Sequence, residues 1–184
     1  MSLQSSRFQP VLFEASDGFR LSGAYFAADQ IKHAVLISPG TGFPKEFYFA
    51  LAEYLTTRDA AVFVFDYRGI GESAPENLAD ESIRYIDWGR LDMVAAAEKL
   101  CDLSGLRDLL HIGHSVGGQF AGLMSNHALF EKHAFVAVGS GYWRLHKLHY
   151  IPVAQFFWWF YGPLSLARKG FIDNQFAWRG EPLP

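Results

Sequence analysis

The run Leu109-Leu110-His111-Ile112-Gly113-His114-Ser115-Val116-Gly117 decides how the rest of the chain is read. Its first five residues form a short, mostly apolar run of the kind that makes a buried strand. Its last five fit G-x-S-x-G. That pattern alone is weak in a chain with 17 glycines; its placement gives it meaning. Val116 to Asn126 is small and helix-compatible, so the serine falls on a sharp turn between a strand and a helix. Such a turn lifts the hydroxyl out of the sheet and sets it at a helix N-terminus, where the first backbone N–H groups are free to hold an anion. A side chain at Gly113 or Gly117 would collide with the neighbouring strand and helix. Ser115 is therefore the candidate nucleophile. His114 lies inside the motif but faces away from the serine, as a packing residue.

Upstream, apolar runs alternate with helical patterns, which argues for α/β architecture. Val11–Glu14 and Phe19–Phe26 flank Asp17-Gly18 and read as a hairpin. Ala34–Ser38 and Ala61–Phe65 read as buried strands, each closed by glycine-rich sequence. Between them, Pro44 opens a helix to about Arg58, with Phe47, Leu51, Tyr54 and Leu55 at helical spacing. Asp87 is the expected N-cap of a helix reaching about Leu100. Downstream, Phe135–Val138 is the last clear strand. Strand–helix–strand units of this length imply right-handed crossovers and a mostly parallel sheet.

The 184 residues suffice for one domain with a substantial core. Half are hydrophobic and the formal net charge is −3, which favours neither nucleic acid nor an anionic membrane as partner. Cys101, the single cysteine, excludes an internal disulfide and reads as a buried small apolar residue. No stretch reaches the ~20 apolar residues a membrane span needs, and the N-terminus has no secretory pattern, so a cytoplasmic location is expected. The histidine pairs 111/114 and 146/149 lack a further ligand cluster; neither metal nor cofactor is expected.

The stretches SPGTGFPKEFY (Ser38–Tyr48), FDYRGIGES (Phe65–Ser73), DWGRLDM (Asp87–Met93), GHSVGGQ (Gly113–Gln119) and GSGYWR (Gly139–Arg144) resemble the α/β-hydrolase superfamily. They are most similar to uncharacterised bacterial hydrolases related to the serine aminopeptidase and monoglyceride-lipase-like group. The resemblance implies a sheet of eight mostly parallel strands, flanked by helices, with strand 2 antiparallel. It implies a nucleophile elbow at Gly113, His114 and Gly117 around Ser115. It also implies an oxyanion hole of the Val116 N–H with Thr41, or next Gly42, from the loop after the third strand. Asp66 and Arg68 would brace the loops as a buried acid–base pair.

In this fold the triad acid and histidine follow the serine. Here Gly139-Ser140-Gly141-Tyr142, where some relatives carry the acid after strand 6, has no carboxylate. After Glu131 the acids are Asp173 and Glu181, and after Ser115 the histidines are His127, His133, His146 and His149, none in a triad pattern. The expectation is a core at 1–143 with strands 1 to 6, an aromatic-rich lid segment at 144–184, and no strands 7 and 8. The chain would then be either a fragment or a shortened homologue. The leading function is a serine hydrolase of an ester or related acyl compound through an acyl-enzyme on Ser115, whose activity as it stands is in question for want of a triad acid and histidine; a catalytically dead binding protein and an acyltransferase or C–C hydrolase are the alternatives. An apolar small-molecule substrate and self-association through an exposed sheet edge are the expected partners.

Overall fold

The computed structural model describes residues 8–79, 83–140, 142–145, 147–172 and 182–183. Six strands form one sheet in the order β1-β2-β4-β3-β5-β6. They are β1 (Gln9–Glu14), β2 (Arg20–Phe26), β3 (His33–Ser38), β4 (Ala60–Phe65), β5 (Leu109–His114) and β6 (Phe130–Val136). β2 runs antiparallel to both β1 and β4; every other pairing is parallel. The hairpin turns at Gly18, whose φ of 83° a residue with a Cβ rarely adopts.

β4 is buried along its whole length, and its alternation divides the core between the two faces of the sheet. Phe63 and Phe65 point to the face covered by α2 (Met93–Ser104), where Trp88 and Leu100 also pack. Val62 and Val64 point to the face covered by α1 (Phe49–Thr56), with Val35, Ile37, Tyr48 and Ala52. The β3–β4 connection carries α1 and the β4–β5 connection carries α2, and β3 pairs with β5, so Ser38 and Gly113 end side by side on the central strands.

Four expectations need correction. The helix after Pro44 begins as a 3₁₀ turn (Lys45–Tyr48) before α1, and its buried face is Lys45, Tyr48 and Ala52; Phe47, Leu51 and Tyr54 are exposed. Lys45 decides this, because its ammonium is drawn inward by carboxylates. Asp87 stands at the N-cap position of its helix, which opens as a π turn at Trp88–Asp92, but its carboxylate bonds the Arg84 guanidinium and not a first-turn N–H. The helix after Ser115 lasts four residues (α3, Val116–Gln119) and tightens into a 3₁₀ turn at Phe120–Leu123. Three glycines in that stretch carry the backbone-entropy cost that ends it. β6 starts at Phe130 and ends at Val136, so the apolar run at 135–138 marks its end, not its whole. Glu131, Lys132 and His133 hid the strand from an apolar-run search.

Beyond β6, α4 (Ile151–Phe156), a π turn (Phe157–Tyr161) and α5 (Gly162–Lys169) form one helical stretch. Trp158 and Trp159 are 61% and 60% exposed. No helix among the described residues is long and apolar enough to cross a membrane.

Candidate active site

Ser115 has φ 50° and ψ −115°, one of three non-glycine residues with positive φ among the described residues. A residue with a Cβ takes that conformation only where its surroundings impose it. Three features impose it here. The Ser115 N–H donates to the Val136 carbonyl of β6 at 2.9 Å, while its carbonyl accepts from the Gly118 and Gln119 N–H groups at 3.0 and 3.1 Å. A Cβ on Gly113 would lie 2.6 Å from the Gly118 Cα, so β5 and α3 touch through bare backbone. A Cβ on Gly117 would land on the Ser38 carbonyl, so α3 rests directly on the end of β3. The strand–turn–helix expected at 109–117 is what these residues form.

Val116 opens α3, and among the described residues its N–H meets no acceptor. The same holds for the Thr41 N–H in the loop after β3. The Gly40 N–H, by contrast, is taken by the Tyr48 hydroxyl at 2.8 Å. Gly42 follows at φ 72°, where the loop reverses. The Thr41 hydroxyl bonds the Tyr85 hydroxyl at 2.7 Å, and Tyr85 packs against Trp88 and Phe120. The geometry thus brings the elbow and the loop after β3 to the same end of the sheet. His114 turns away from the serine: its Nδ1 lies 2.7 Å from the Tyr48 hydroxyl.

The loops around this end are held by two ionic clusters, paired differently from the expected Asp66–Arg68 brace. Asp66, fully buried, accepts from the Lys45 backbone N–H at 2.7 Å and from its Nζ at 2.6 Å. Lys45 Nζ also reaches Glu72 at 2.8 Å and Glu46 at 3.1 Å. Burial works against its charge, but bonds to Asp66 and Glu72 hold the ammonium above the ordinary lysine range. The three carboxylates converge closely enough to hold a metal ion, but the Lys45 ammonium occupies that position. Arg68 instead bonds Asp92 and Asp17, while its carbonyl accepts from the Trp88 indole at 3.0 Å. Burial raises the Asp92 carboxyl to about 6, against the pull of Arg68.

Among the described residues no histidine or carboxylate bonds the Ser115 hydroxyl. His127 bonds the Met124 carbonyl and His133 the ring of His111. His149 is exposed. His146, Asp173 and Glu181 lie outside the described residues. Sequence reasoning missed Lys45, Tyr48, Tyr85 and His111; Tyr48 and Lys45 share a helical face, a signal masked by the larger apolar residues on the opposite side.

A family model described as serine aminopeptidase, S33, matches residues 29–170. The uncharacterized protein YfhR of Salmonella typhimurium is 30% identical over 122 residues, covering 59% of this chain and 42% of the relative. The chain thus spans about two fifths of the length of that curated relative. Among solved structures, the α/β hydrolase GrgF from Penicillium sp. sh18 matches with a TM-score of 0.62 at 22% identity, over 71% of this chain and 46% of that one. An α/β hydrolase from Novosphingobium aromaticivorans gives 0.55 at 21%, over 71% and 44%. A thermostable carboxyl esterase from Bacillus coagulans gives 0.52 at 15%, over 65% and 40%. At these identities the likeness shows the α/β-hydrolase fold alone.

Proposed function

The chain belongs to the serine aminopeptidase S33 family of α/β hydrolases, and from that premise we propose that Ser115 is the nucleophile of a serine hydrolase acting on an ester or related acyl compound. The observation that supports this most is the imposed backbone at Ser115, φ 50° and ψ −115°, at the end of a parallel strand. Strain of this kind persists where function requires an otherwise unfavourable geometry. In the proposed step the Ser115 oxygen attacks the acyl carbon. The carbonyl oxygen takes up negative charge between the Val116 and Thr41 N–H groups, with Gly42 as the next donor. The leaving alcohol or amine then departs to give the acyl-enzyme. Losing one such donor typically costs about 3 kcal/mol of barrier.

Attack also needs a base for the serine proton. None bonds the hydroxyl among the described residues, so turnover of short-chain aryl esters by this 184-residue chain is expected near background. The division into a core at 1–143 and a lid segment at 144–184 belongs to the same proposal, as does an apolar acyl group beside the aromatic helices. The test is covalent labelling by a fluorophosphonate, read by mass spectrometry. With only the oxyanion hole to assist, a slow adduct on Ser115, faster than on any other serine and absent in Ser115→Ala, is expected; labelling of Ser115 no faster than of the other serines at saturating probe overturns the reading. Robust ester turnover abolished by Ser115→Ala would reveal a base, with His149 and His146 the first to test.

We further propose that the free edge of β6 pairs with that of a second copy. Its burial pattern is exposed from Glu131 to Val136, and an unpaired strand edge templates strand addition. The aromatic helices, with Trp158 and Trp159 mostly exposed, do not bury themselves across it.

A further inference from the structure

Tyr48 lies on the buried face of the turn that follows the loop 39–44, at 6% exposure. Its hydroxyl accepts from the Gly40 N–H at 2.8 Å and lies 2.7 Å from the His114 Nδ1. A phenol has one proton to give. With Gly40 donating into the oxygen, that proton goes to Nδ1, which places the imidazole proton on Nε2 and keeps the ring neutral. Burial keeps the phenol protonated, its pKa pushed up to about 12, and holds His114 below its ordinary range. The loop and the ring are also in direct contact. A Cβ on Gly40 would fall 2.7 Å from the His114 Nδ1, and the Phe43 ring packs edge-on at 5.5 Å. At the far end of the loop, Asp66 pins Lys45 through both its backbone and its ammonium.

We propose that Tyr48 is a positioning residue: by joining the Gly40 N–H to the ring of His114, its hydroxyl sets the distance between the two oxyanion donors, the Val116 and Thr41 N–H groups. The inference rests on the reading of Ser115 as nucleophile. The chain of contacts is short. His114 precedes Ser115 and Val116 on the elbow, Gly40 precedes Thr41 on the loop, and the two segments come from strands that do not adjoin in sequence. Tyr48 also decides which loop donor stays free. It fills the Gly40 N–H and leaves that of Thr41 for substrate.

The experiment uses the full 184-residue chain and needs no turnover. Nitrogen-15 NMR of the His114 ring in the wild-type protein should show Nδ1 as an unprotonated acceptor and Nε2 protonated; a protonated Nδ1 overturns the proposal without any variant. In Tyr48→Phe the His114 pKa should rise, because the neutral ring loses its donor. Fluorophosphonate labelling of Ser115 should slow about tenfold, the worth of roughly 1.4 kcal/mol of lost alignment. Tyr54→Phe, on the exposed face of the same helix, should change neither. Tyr48→Phe labelling at the wild-type rate with an unchanged His114 titration overturns the role of Tyr48. Wild-type protein that takes no label overturns the nucleophile reading itself, so the two failures are told apart.

Discussion

β5 and β6 run side by side in parallel register, from Leu110 opposite Lys132 to His114 opposite Val136, yet they live in different environments. β5 has a strand on each edge and places Leu109, His111 and Gly113 in the interior. Among the described residues β6 has one neighbouring strand, and it is exposed at every position after Phe130. A strand's burial is thus set by its neighbours as much as by its own residues. The elbow stands on this boundary, since Ser115 hangs from β6 by one backbone hydrogen bond while its glycines are locked against β3 and α3.

The contrast breaks most sharply at Gly113. Gly113→Ala puts a methyl against the Gly118 backbone, which cannot swing aside, and should cost about 3 kcal/mol or more in the urea-unfolding free energy. An effect under about 1 kcal/mol would show the elbow less tightly held than its contacts imply.

The next test lies between the strands. His111 is buried, with Nε2 on the Ser38 hydroxyl at 2.9 Å and Nδ1 on the His133 Nδ1 at 3.0 Å. Burial, then the neighbouring His133, lowers its pKa to about 4. The unfolded chain binds the proton near the ordinary value, so between about pH 6.5 and 4 it holds more protons than the folded one. Stability therefore falls as the pH falls through that window, by on the order of 3 kcal/mol from this group. Unfolding midpoints from pH 7.5 to 4 should drop in the wild type and flatten in His111→Gln; parallel profiles would assign the loss elsewhere.

The edge itself gives a smaller, concentration-dependent effect. Light scattering at micromolar concentration should show association, reduced in Ala134→Lys, which sets a charge on the free strand. A wild-type monomer at that concentration refutes pairing through β6. Smallest of all is Lys132→Ala, which should change stability by no more than about 0.5 kcal/mol, as is usual for an exposed substitution. A larger loss would mean that β6 is covered in solution.

The same boundary separates what the sequence discloses from what it hides. β3, β4 and β5 are continuous apolar runs because both faces are covered, and the elbow announces itself by glycines with no room for a side chain. β6 has no such pattern: a strand exposed on both faces carries Glu131, Lys132 and His133 without penalty. At the site, the turn at Ser115 is legible because a strand, a turn and a helix fix it locally; the donor roles of Val116 and Thr41 stay part of the proposal. Tyr48 was not legible, because its value lies in two partners, Gly40 and His114, that only the folded sheet brings to it. Lys45 was hidden by the general rule that lysines face water; Asp66 and Glu72 from the end of β4 and the loop after it, with the adjoining Glu46, override it.

The bond from the Ser115 N–H to the Val136 carbonyl has a consequence for the order of events during synthesis. A chain leaving the ribosome folds N-terminal parts first, and β1 to β5 can pair as soon as they emerge. The serine emerges with β5, but the acceptor that fixes its backbone arrives only with the last residue of β6. Until then the turn at 113–117 has its glycines and its bonds from α3 in place, but the Ser115 N–H lacks its acceptor. The conformation on which any chemistry at Ser115 depends is completed by β6, a strand made after the serine and exposed along most of its length.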